Sequence, residues 1–167
     1  LVPGDGETHQ GIYDTGYFSQ IGIPVYSPCN YAELEYWLEA LVKTMRGPRV
    51  IRYARGEEKP ALAALGCTGK PYDMLCGADK ADTVLVSYGA ETEEILAAAE
   101  LLRHQGMAAD CCKLVQVYPL PDGLCRQLSN YKAILFAEES VATGGIGQQL
   151  CTALQAAGWQ GRFILRG

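Results

Sequence analysis

The densest run of chemically capable side chains lies near the start of the chain, in Gly4-Asp5-Gly6-Glu7-Thr8-His9-Gln10-Gly11. It sets two carboxylates, a hydroxyl and an imidazole among glycines, which let a backbone come close to a ligand. His9 is suited to donating a hydrogen bond or moving a proton near neutral pH. Asp5 can accept from a hydroxyl or orient the histidine. The same residues would equally make a glycine-rich turn carrying a surface histidine. Arg52 and Arg55 form a second group, at and just beyond an expected strand over 49–53. Ligands of open parallel sheets gather at the carboxyl ends of strands. The planar guanidinium fork suits phosphate or carboxylate. On this segment alone, two exposed loop arginines are the simpler reading.

Other motifs carry less chemistry. Gly4-Asp5-Gly6 with Asn30 resembles the Gly-Asp-Gly…Asn magnesium signature, but that signature follows a buried strand, and Asn30 is placed to cap a helix. Gly144-Gly145-Ile146-Gly147 before a helix could cradle a phosphate. Glu138 and Glu139 upstream would repel an anion, so close helix-on-strand packing is the better reason for these glycines. The chain has 7 cysteines, an odd number with no C-x-x-C pair, which suggests reduced thiols of a cytosolic protein. Cys111-Cys112 reads as small apolar core, no zinc-finger spacing is present, and His104 fits a helix C-terminus.

Two kinds of element must position these groups. In the first segment a short strand is expected over 21–26, after an opening loop. A helix follows, capped by Asn30 with Glu33 three residues on, and it is stopped by Gly47-Pro48. Its apolar face is Leu34, Leu38, Leu41, Val42 and Met45. Residues 59–82 read as a linker with a short helix or hairpin of its own. From Thr83 the pattern is regular, with strands near 83–87, 110–118, 133–137 and 162–165. The intervening helices pass through Ile95–Leu102, Leu124–Leu128 and Leu150–Leu154. This alternation predicts an α/β domain with a mostly parallel sheet buried on both faces.

Composition bounds the function. The length of 167 residues suits one domain or two small ones. A 49% hydrophobic fraction and 20% charged fraction exclude wholesale disorder. The formal net charge of −5 argues against nucleic-acid binding, and no apolar run is long enough to span a bilayer. The chain opens at Leu1 in mid-motif, which suggests a piece of a longer protein.

The motifs together resemble a known family. Asp5-Gly6-x-Thr8-His9-Gln10-Gly11-x-Tyr13-Asp14, Ile23-Pro24, Glu33-Leu34 and Ile51-Arg52-Tyr53-x-Arg55-Gly56 are similar to the C-terminal half of 1-deoxy-D-xylulose 5-phosphate synthases. Tyr118-Pro119-Leu120 and Glu138-Glu139-Ser140, leading into Gly144-Gly145-Ile146-Gly147, look like the last domain of that family. The Thr-His-Gln motif is shared with transketolases, whereas Gly11-Ile12-Tyr13-Asp14 favours the synthases. The sequence departs from the family at Ala54, where proline is usual, and at Tyr118, where lysine is usual.

The resemblance implies a fold, a reaction and partners. Residues 1–58 would be the tail of a pyrimidine-binding domain, 59–82 a linker, and 83–167 a transketolase C-terminal-type domain. The intact enzyme would use thiamine diphosphate and magnesium, held upstream of this chain. It would join pyruvate to glyceraldehyde 3-phosphate with loss of carbon dioxide, feeding isoprenoid, thiamine and pyridoxal synthesis. His9, as the catalytic group, would contact the reacting oxygen. Asp5 and Arg55 would bind substrate, with Arg52 or Arg55 taking its phosphate. A cytoplasmic homodimer is expected when intact, and no activity from the fragment alone. The alternatives are a transketolase-type C-terminal subunit acting with a separate chain, or a non-catalytic α/β interaction module.

Overall fold

The structure, a computed structural model, describes residues 11–44, 46–75, 77 and 80–167. Apolar β-branched and aromatic runs form two sheets. The larger has five strands in the order β3-β5-β4-β7-β8, namely β3 (Tyr72–Leu75), β4 (Thr83–Tyr88), β5 (Ala109–Leu114), β7 (Ala133–Ala137) and β8 (Arg162–Arg166). Strands β5, β4, β7 and β8 are mutually parallel, and β3 adds antiparallel to β5. The smaller sheet has the order β2-β1-β6, from β1 (Val25–Tyr26), β2 (Val50–Ile51) and β6 (Gln116–Tyr118).

The helices are α1 (Asp14–Gln20), α2 (Tyr31–Thr44), α3 (Pro60–Ala63), α4 (Thr92–His104), α5 (Leu124–Leu128) and α6 (Ile146–Ala156). Alternation along β4 separates two apolar layers. Val84, Val86 and Tyr88 join Leu124, Leu128, Leu150 and Leu154 of α5 and α6 in one cluster. Leu85 joins Ile95 and Ala99 of α4 in the other. The large sheet is therefore covered on both faces, as its apolar strands require.

Several sequence expectations are corrected. The expected strand over 110–118 is two strands in different sheets. At the switch Val115 N and Gln116 N both donate to Pro71 O at 2.9 Å, and Ser27 N donates to Val115 O at 2.7 Å. The stretch 59–82 supplies a sheet strand, β3, as well as the short helix α3. The opening loop gives way to α1 at Asp14, and that helix is fastened to the far end of the chain. Thr15 Oγ1 donates to Ser140 Oγ at 3.0 Å, and Gln149 Nε2 donates to Ser19 Oγ at 2.8 Å. Among the described residues of the expected α2 apolar face only Leu41 is fully buried, while Leu38 and Val42 are exposed; Met45 lies outside the described residues. The side inserted into the protein carries Glu33 instead, which is 1% exposed.

Candidate functional site

The strand directions bring the carboxyl ends of the two sheets together. β1 runs antiparallel to β6, and β6 continues β5, which is parallel to β4. The loops leaving β1, β2, β4 and β7 therefore meet. Gly89, just after β4, shows how close they come. Its φ is +60°, and a Cβ there would lie 2.7 Å from Ser27 Oγ. Glycine is required on both counts.

A cavity of about 360 Å³ opens at this junction. Cys29, Asn30 and Tyr31 come from the start of α2, Tyr53 and Arg55 from the loop after β2, and Ala90 and Glu139 from those after β4 and β7. Asn30 is the expected cap, since its Oδ1 accepts Glu33 N–H at 2.8 Å. It does more than capping requires. Its Nδ2 donates to Leu62 O at 2.9 Å and to Gly66 O at 2.8 Å, tying α3 to the site. Glu58 accepts the Tyr31 N–H at 2.5 Å. Burial, with the nearby Glu33 charge, pushes the Cys29 thiol up to about 12, so it stands protonated at neutral pH.

The two arginines separate. Arg52 is half-buried, and its Nη2 donates to the carbonyl and the carboxylate of Glu139, each at 3.3 Å. Arg55 is exposed on the cavity wall. Asp5 and His9 lie outside the described residues. Ile12, which follows them in sequence, lines a second cavity of about 630 Å³ with Glu139 and Ser140.

The burial of two charged groups, Lys113 and Glu138, escaped sequence reading. Lys113, 1% exposed in the middle of β5, bonds Glu33 and lies 3.1 Å from Asp73 Oδ2. Two charged residues, Asp110 and Lys113, inside a six-residue strand with two cysteines were the available signal. Glu138 is 4% exposed. It accepts from Tyr88 Oη at 2.8 Å, Ile146 N at 3.2 Å and Gly147 N at 3.0 Å. The protein's own carboxylate thus occupies the start of α6, where an anion could have bound. The neighbouring glycines are there for packing. A Cβ on Gly147 would meet Leu165 Cδ1 at 2.3 Å, and one on Gly145 would meet Val141 O at 2.4 Å. His104 sits in the last turn of α4, 3.3 Å from Glu100, and Cys111 and Cys112 are buried, as expected.

Comparison with known proteins agrees with this architecture. Residues 75–164 match the family model "Transketolase, C-terminal domain", a stretch that begins within β3. The 1-deoxy-D-xylulose-5-phosphate synthase of Rhodococcus jostii is 30% identical over 160 residues, 95% of this chain and 25% of that protein. The synthase of Anaeromyxobacter is 33% identical over 163 residues, 95% of the chain and 26% of that protein. The chain thus spans about a quarter of the length of these curated relatives. Among solved structures, a split-gene transketolase described as an inactive beta4 tetramer has a TM-score of 0.74. It is 19% identical over 95% of this chain and 52% of that one. A Pichia stipitis transketolase mutant has a TM-score of 0.68 at 19% identity, over 98% of this chain and 23% of that one. No described helix is long and apolar enough to cross a membrane.

Proposed function

The chain belongs to the transketolase C-terminal-domain family, and from that premise we propose that it is the C-terminal portion of a 1-deoxy-D-xylulose-5-phosphate synthase. The reaction is the condensation of pyruvate with glyceraldehyde 3-phosphate to 1-deoxy-D-xylulose 5-phosphate and carbon dioxide. The observation that carries this reading is the similarity to synthases along 95% of the chain. It includes the segment that sets Arg55 on the cavity wall.

Arg55 binds the phosphate of the acceptor aldehyde, because it lines the cavity at an exposed position and Arg52 does not line it. His9 hydrogen-bonds the reacting oxygen or relays its proton, and Asp5 holds a substrate hydroxyl. Residues 1–58 and 83–167 are two domains of such a synthase, joined by 59–82, which also adds β3 to the sheet of the second. The intact protein is a cytoplasmic homodimer.

Thiamine diphosphate, when bound, supplies the carbanion chemistry of such an enzyme, with magnesium holding its diphosphate. The described residues do not fit as ligands of magnesium, and the resemblance to the synthases places thiamine diphosphate outside them as well. Asn30 spends both side-chain atoms on Glu33, Leu62 and Gly66. Among the described residues no group of three His, Cys, Asp or Glu converges as a metal site. Both cofactors are therefore assigned to residues outside the described part of this chain.

Steady-state kinetics of the full-length protein tests the reading. Arg55→Ala should raise the KM for glyceraldehyde 3-phosphate about tenfold to a hundredfold, and His9→Ala should mainly lower turnover. A full-length protein that forms no 1-deoxy-D-xylulose 5-phosphate from these substrates would overturn it.

A further inference from the structure

Lys113 is a buried ammonium that no step of the proposed reaction touches. Its Nζ holds Glu33 Oε1 and lies 3.1 Å from Asp73 Oδ2. Lys113 and Glu33 are each 1% exposed. The three side chains come from β5, α2 and β3, so the cluster joins the first segment, the middle stretch and the large sheet. Glu33 then reaches onward. Its Oε2 accepts the Cys29 N–H at 2.9 Å, and its own N–H is held by Asn30. Cys29, Asn30 and Tyr31 line the cavity that Arg55 also lines. A continuous line of bonds therefore runs from the sheet interior to the wall of the candidate substrate site.

An ion pair with both partners buried is poor evidence of stability for its own sake, because apolar residues of similar volume commonly do as well or better. Direction is what apolar residues cannot supply. A carboxylate with one oxygen on an ammonium has its other oxygen fixed in place for an N–H. We propose that Lys113 and Glu33 are positioning residues for the acceptor pocket. Lys113 keeps Glu33 oriented, and Glu33 fixes the 28–31 wall against which Arg55 seats the substrate phosphate. This rests on the acceptor-site reading given above.

The test uses full-length enzyme carrying Lys113→Met, Glu33→Gln, or the double change Glu33→Met with Lys113→Met, beside Arg55→Ala. The single variants should raise the KM for glyceraldehyde 3-phosphate about tenfold, with kcat per folded enzyme within about threefold of wild type. The double variant removes both charges of the pair, leaving Asp73 without its cation, and should recover part of the thermal stability that Lys113→Met loses. Its KM should stay raised, because Cys29 N–H still lacks its acceptor. Amide hydrogen exchange gives a readout independent of activity. Exchange should quicken in residues 27–31 of the double variant while β4 keeps its protection. An unchanged KM in folded variants, recovery of KM with stability in the double variant, or unchanged exchange at 27–31 would each overturn the proposal. If Arg55→Ala also leaves KM unchanged, the acceptor-site reading falls with it. If Arg55→Ala raises KM and Lys113→Met does not, only the positioning role is lost.

Discussion

Arg52 and Glu139, 87 residues apart in the chain, join the carboxyl end of β2 to that of β7 through two hydrogen bonds of 3.3 Å. The contact divides two arginines that the sequence leaves equivalent. Arg52 braces the two sheets against each other, and Arg55 lines the cavity.

Arg52→Ala should therefore lower stability by about 1–2 kcal/mol, since it removes a half-buried, charge-assisted contact. Arg55→Ala, at an exposed position on the cavity wall, should cost less than Arg52→Ala. Urea unfolding of both variants checks this. Equal losses would contradict the division of roles.

The buried pair predicts a pH dependence. Burial by itself would lower the Lys113 ammonium, but the hydrogen bond and charge of Glu33 hold it above the ordinary value of 10.5. The native state then grips this proton more tightly than the unfolded chain. Its contribution is complete below about pH 10.5 and is lost as pH rises through the higher native value. Lys113→Met should cost about 3–5 kcal/mol at pH 7, because Glu33 is left buried and unpaired. Unfolding at pH 7 and pH 11 should show the gap to wild type narrowing at the higher pH.

Glu138 carries a dependence of the same sign in a lower pH window. Burial raises its carboxyl above the usual range, against the hydrogen bonds from Gly147, Tyr88 and Ile146 that lower it. Between the ordinary and the raised value the native state keeps a proton that the unfolded chain has released. Stability therefore falls as pH climbs through that window. Glu138→Gln should abolish this slope above the ordinary carboxyl value of 4.5. Glu138→Ala should cost about 2–4 kcal/mol, since three donors lose their acceptor. A wild-type-to-Gln difference that is flat with pH would refute the argument.

Glycine substitutions should rank by space as well as by backbone. Gly147→Ala drives a methyl into Leu165 and Phe136 and should cost about 2–3 kcal/mol. Gly158→Ala has φ +86° but nothing within 4 Å, and should cost only about 1 kcal/mol. Thermal unfolding of the two variants gives the order directly.

Thiol labelling separates the cysteines. Cys29, half-buried with its thiol pushed up to about 12, should react with iodoacetamide far more slowly at pH 8 than exposed Cys67. Peptide mapping over time reads both rates, and comparable rates would mean that the cavity wall at Cys29 opens readily.

What the sequence determined by itself was local. The Asn30 cap, the helices through Ile95–Leu102 and Leu124–Leu128, the buried strand Ala133–Ala137 and the parallel order of the large sheet follow from periodicity and capping. These patterns are written within a dozen residues. The start of the helix at Ile146 and its close packing were legible from three glycines and the carboxylates before them. Arg55 was legible as a candidate because it follows a strand. Only the tertiary structure decided the rest. It split the apolar run 110–118 at Val115, where a second sheet offered Ser27 N–H as partner. It drew β3 out of a stretch that composition marks as connecting, because β5 had an open edge. It left Leu38 and Val42 outside while burying Glu33, since Lys113, 80 residues away, made the charge cheaper inside than the spacing of leucines implies. Arg52 became a brace and Arg55 a cavity residue for the same reason. A side chain's role is set by the partner that folding brings to it, and that partner is absent from its own segment of sequence.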